Sequence, residues 1–156
     1  MIDSFVKSWE KHKGKLEEYI RNHNQSEYDS YEKLTKLLFD IVINPECDSH
    51  YVEKFDTENI DVLDHGGYSG TKIMVLHRDA YEPDPDDYIY TYVYYGSCSG
   101  CDTLQGIHHY YEGLPNERQV QDYMTLLLHL LQHCKCMGDN FEEYESEEEY
   151  AEDRFF

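Results

Sequence analysis

Apolar positions in the first 45 residues recur at helical spacing. Phe5, Trp9, Leu16, Tyr19 and Ile20 share one face, with Lys and Glu between them, and Gly14 weakens this helix without ending it. Ser26 or Asp29 supplies a cap for a second helix whose apolar face carries Tyr31, Leu34, Leu37, Leu38, Ile41 and Val42, and Asn44-Pro45 stops it. From about residue 51 the period shortens to two. Residues 59–63, 71–76 and 88–95 alternate as strands, and 88–95 is aromatic or β-branched throughout. The Gly-rich stretch 64–70 suits a hairpin turn, so the three strands predict an antiparallel meander. Asp102 or Thr103 caps a short helix, and 113–116 breaks the chain. Residues 117–134 then form the longest amphipathic run, with Val120, Tyr123, Met124, Leu127, Leu130, Leu131 and Cys134 on its apolar face. The expected fold is α+β: two N-terminal helices, a three-stranded antiparallel sheet and a long C-terminal helix. Residues 1–138 make one domain and 139–156 an acidic C-terminal tail.

Charge changes this picture more than length does. The chain has 33 acidic and 13 basic residues, a net charge of −20. Sixteen Tyr and six Phe supply ring surface that a disordered acidic chain lacks, so a folded domain is expected. A surface this negative repels nucleic acid and anionic lipid and attracts basic protein surfaces. Direct nucleic-acid binding and membrane binding are therefore not expected. The longest apolar run, 126–131, is too short to span a bilayer. The N-terminal residues show no secretory signal, which predicts a cytoplasmic protein. Two acidic segments are candidate partner-binding elements. One is the loop with Asp84, Asp86 and Asp87; the other is the tail with Glu142, Glu143, Glu145, Glu147, Glu148 and Glu149, interleaved with Phe141, Tyr144 and Tyr150.

Five Cys without a signal peptide favour metal or redox chemistry over a disulfide framework. Cys98 and Cys101 stand two residues apart on a Gly-containing turn, a spacing that lets both thiolates face one ion. Cys134 and Cys136 follow the long helix. Four thiolates about 2.3 Å from zinc close a tetrahedral structural site, and His129 or His133 is available in place of a Cys. A strand, then Cys-x-x-Cys, then a helix is also the order in thiol redox enzymes, where the helix N-terminus lowers the thiol pKa. The elements upstream do not supply the βαβ context of that motif. Cys47 stands alone, and the adjacent His108 and His109 diverge too far on a helix to share an ion. The stretch 66–72 lacks the spacing of a phosphate loop, and His129-Leu-Leu-Gln-His133 lacks the Glu of a zinc protease, so hydrolysis is not supported.

Tyr95-Gly96-Ser97-Cys98-Ser99-Gly100-Cys101-Asp102-Thr103-Leu104-Gln105 resembles a segment of small phage and prophage proteins of Gram-positive bacteria. Residues 81–94 and 122–132 resemble the same family, so the likeness covers roughly the second half of the chain. Within that group the chain resembles metal-containing anti-CRISPR proteins that inhibit Cas9. The resemblance implies a non-enzymatic inhibitor in the bacterial host cell, carrying structural zinc, that binds a basic nuclease and blocks its nucleic-acid loading. Cys134 and Cys136 lie outside the family-like motif. The readings set beside this one are a zinc- or thiol-dependent enzyme and a phage structural or regulatory interaction protein.

Overall fold

The computed structural model describes residues 2–47, 53–67, 69–97, 102–108 and 113–138. The first helix, α1, runs Ile2–Asn22 without interruption, and a side chain at Gly14 would meet open space. A 3-10 turn, Gln25–Tyr28, capped by Asn24, leads to α2, Tyr31–Leu38. The cap of α2 is Ser30, whose side chain accepts from the Lys33 N–H, and not Ser26 or Asp29. The expected continuation to Val42 exists, but Phe39–Ile43 is a π-helical turn. Pro45 then sits in a closing 3-10 turn, Asn44–Glu46. Asn44 is buried there and pairs with the Phe55 backbone in both directions, at 3.0 and 2.9 Å.

The three expected strands are β1, Asp61–Gly66, β2, Gly70–His77, and β3, Tyr88–Tyr95. They pair antiparallel in sequence order, and a two-residue strand absent from the sequence reading, β4, Lys135–Cys136, adds to β3. The sheet is therefore four-stranded. Its first hairpin closes through Gly66 opposite Gly70. Gly66 has φ 153°, and a Cβ there would overlap the Ser69 carbonyl, so the turn needs a residue without one.

Burial alternates along β3, with Ile89, Thr91 and Val93 inside. The register sets Leu76 opposite Ile89 and Met74 opposite Thr91, which defines an inner face. That face joins the core built by α1, α2, α3 (Thr103–His108) and α4 (Glu117–Gln132), and includes Leu16, Ile20, Leu34, Leu38, Leu127 and Leu131. The Thr91 hydroxyl donates to the Leu130 carbonyl at 2.6 Å and fixes α4 against β3. The outer face bears Tyr88, Tyr90, Tyr92 and Tyr94. Among the described residues, no helix is long and apolar enough to cross a membrane.

Candidate functional site

The link that carries Cys98 and Cys101 leaves β3 at Gly96 and enters α3 after Asp102. Both cysteines lie outside the described residues, but the frame that holds the link does not. Asp102 is buried, and its carboxylate accepts from the Gly96 N–H at 3.0 Å, the Gln105 N–H at 3.0 Å and the Tyr31 hydroxyl at 2.8 Å. The Gln105 amide donates back to the Gly96 carbonyl at 3.1 Å. The two ends of the link are thus tied to each other and to α2. A short Asp side chain at the start of a helix normally accepts only the free N–H groups of the first turn. Here it also clamps the preceding strand. Burial pushes the Tyr31 phenol well above its ordinary pKa, and the Asp102 carboxylate pushes in the same direction, so the hydroxyl remains a donor.

The two histidines and the second cysteine pair stand in different surroundings. His129 lines a cavity of about 320 Å³ between α3 and α4, together with Thr103, Ile107, Asp122 and Thr125. It therefore lies on the side of α4 where the link re-enters the fold. His133, one turn later, caps the helix and turns to the sheet. Its ring stacks on Tyr92 with centroids 4.4 Å apart and planes at 5°, and its Nδ1 donates to the Tyr92 carbonyl at 2.9 Å.

Cys134 is buried in the core with Sγ 3.4 Å from the Leu130 carbonyl, and desolvation pushes its thiol up to about 12. These apolar surroundings favour the protonated thiol. Cys136 pairs with Ile89, and its Sγ contacts the Asp86 carbonyl at 3.6 Å. Ile89 stands seven residues before Gly96, toward the other end of β3. Cys134 is thus placed in the core and Cys136 near the start of β3, whereas Cys98 and Cys101, the other half of the expected zinc site, lie outside the described residues. Among the described residues, no group of three or more His, Cys, Asp or Glu is placed to hold a metal ion.

The acidic loop is ordered by its own backbone. Asp84 caps the 3-10 turn Pro85–Asp87, accepting from the Asp86 N–H at 3.0 Å, while the Asp87 carboxylate accepts from the Asp84 N–H at 3.0 Å. This reciprocal cap holds the carboxylates in a fixed cluster. Gly138 lies directly against it, since a Cβ at that position would overlap the Asp86 carboxylate. The tail residues Glu142, Glu143, Glu145, Glu147, Glu148 and Glu149 lie outside the described residues. Gly138, the last described residue before the tail, stands beside the turn, although the two lie about a third of the chain apart in sequence.

A buried polar network between the Gln25–Tyr28 turn, α3 and α4 was not anticipated from the sequence. The Tyr123 hydroxyl donates to Gln25 at 2.7 Å, and the Gln119 amide donates to the Ile107 carbonyl at 2.9 Å. The one signal for it was Gln119 at the third helical position after Asn116, a capping pair that the structure contains. Comparison with protein-family models, with curated proteins and with solved structures finds no match to the chain.

Proposed function

We propose that the protein is a non-enzymatic binding protein whose acidic edge occupies a basic groove of a host protein. The observation that carries this reading is the convergence of the Asp84–Asp86–Asp87 turn and the root of the acidic tail on one edge of a chain with net charge −20. Rigid carboxylates along an edge compete for a groove that otherwise holds phosphates. The phage-like motif points to a Cas9 nuclease as the partner and to blocked nucleic-acid loading as the effect. Structural zinc at Cys98 and Cys101 belongs to this proposal, with His129 as the α4 residue on the same side of the fold. Two thiolates from the clamped link and an imidazole from α4 would tie the two together and contribute folding energy directly.

The test is a binding titration against purified Cas9, with and without guide RNA, at two salt concentrations. The expected result is binding to the free nuclease that weakens on the order of tenfold between 50 and 300 mM NaCl. No binding, or binding indifferent to salt, overturns the reading. The redox alternative draws on the strand–link–helix order around Cys98 and Cys101. Titration of the thiols in the metal-loaded protein separates them, because a redox site exposes a reactive thiolate and a closed metal site hides it.

A further inference from the structure

The sheet order leaves β1 with β2 as its one hydrogen-bonded neighbour among the described residues. Five of its six residues are exposed, and Leu63 keeps 52% of its surface in solvent. Beside this strand lies a groove of about 540 Å³ whose walls include Leu63, Val75, Pro83, Tyr88 and Met137. Asp61 and Asp84 stand on its lining, and Asp64 lies three residues along the strand, on its other face, accepting from the Tyr95 hydroxyl. An open strand edge, an apolar groove on one face and carboxylates around both are the three elements of recognition by strand addition. Backbone groups supply the affinity in that mode, and pockets for alternate side chains supply the specificity.

We propose that β1 receives an extended segment of the protein's partner, one that alternates Lys or Arg with Val, Ile or Leu. This deepens the reading of a basic partner given above and rests on it. The apolar side chains enter the groove over Leu63 and Val75; the basic ones, on the opposite face of the added strand, meet Asp64, while Asp61 and Asp84 on the groove lining add to the field that attracts a basic segment. A second copy of the chain is the poorer occupant. Pairing β1 with itself sets Asp61 and Asp64 of each copy against the same carboxylates of the other, and each copy carries a net charge of −20.

The experiment uses the full chain, isotope-labelled, with two synthetic octapeptides as probes: one alternating Lys with Val, the other Glu with Val. The expected result is that the Lys–Val peptide binds and slows hydrogen exchange of amides within 61–66 by about tenfold or more. Leu63→Lys, at an exposed position where folding is not at stake, should weaken that binding about tenfold, and the Glu–Val peptide should not bind. Salt-sensitive binding of the Lys–Val peptide with protection elsewhere, or unaltered binding by L63K, overturns strand addition and leaves the acidic-partner reading standing. Equal binding of both peptides overturns the assigned chemistry. Absence of binding by either overturns strand addition, and the Cas9 titration decides the acidic-edge reading separately. Amides 61–66 protected in the free protein in proportion to its concentration would assign the edge to a second copy and overturn the proposal.

Discussion

Asp102 shows how much one side chain carries. Its carboxylate is the acceptor for donors from β3, α3 and α2. Removing it strands buried N–H and O–H groups, each of which costs about 1–3 kcal/mol when left unmet. Asp102→Ala should therefore lower the unfolding free energy by about 3 kcal/mol in urea denaturation, whereas Tyr31→Phe, which loses one hydroxyl, should cost about 1 kcal/mol. If D102A costs no more than Y31F, the clamp is not a unit. Cys134 makes a second prediction at this scale. Its thiol is raised to about 12 in the folded chain, so folding favours the protonated form. That contribution is fully present below the unfolded value near 9 and is lost as pH rises through the folded value. Urea unfolding at stepped pH should show stability falling from pH 9 upward, and Cys134→Ala should flatten the fall between pH 9 and 10. The buried phenols of Tyr28, Tyr31 and Tyr123, all raised by desolvation, act in the same direction only above the ordinary tyrosine value.

At the scale of elements, caps and registers decide where each segment begins. Asn116 and Gln119 close α4 reciprocally, at 2.8 and 2.9 Å, so Asn116→Ala should cost about 1 kcal/mol by the same denaturation measurement. Gly138→Ala should cost more than an exposed glycine normally would, because the added methyl must displace the Asp86 carboxylate. Its effect should shrink in an Asp86→Ala background, a coupling that a double-mutant cycle reads. The elements with strong local period were legible from the sequence: α1, α4 and the alternation of Tyr88–Tyr95 all stand where the pattern puts them. What escaped was non-local. The π-helical turn at Phe39–Ile43 accompanies the burial of Phe39, Val42 and Ile43, which propensity does not encode. A two-residue strand such as β4 has no period of its own and exists through its pairing with Ile89 and Tyr90. The same pairing sets Cys136 opposite Ile89, which spacing along the chain could not reveal. His129 and His133 likewise share a spacing of one turn, yet one faces α3 and the other stacks on Tyr92.

For the whole molecule the dominant fact is unbalanced charge. Lys11, Lys13, Arg21, Lys33 and Lys36 each sit within 4 Å of a carboxylate, and the best exposed pair joins Arg21 to Glu117 at 2.8 Å. Such exposed pairs contribute little individually. The excess of 33 acidic over 13 basic residues repels itself throughout the folded state. Salt weakens both effects, so the sign of its action on stability shows which is larger. Raising NaCl from 10 to 150 mM shortens the screening length from about 30 to about 8 Å, which removes repulsion between distant carboxylates before it removes attraction at contact distance. The melting temperature should therefore rise by about 3 °C, equivalent to about 1 kcal/mol in a domain of this size. A fall would mean that the surface ion pairs outweigh the net repulsion. A rise would show that the fold carries an electrostatic cost in its free state, and a basic partner seated on the acidic edge would relieve that cost on binding.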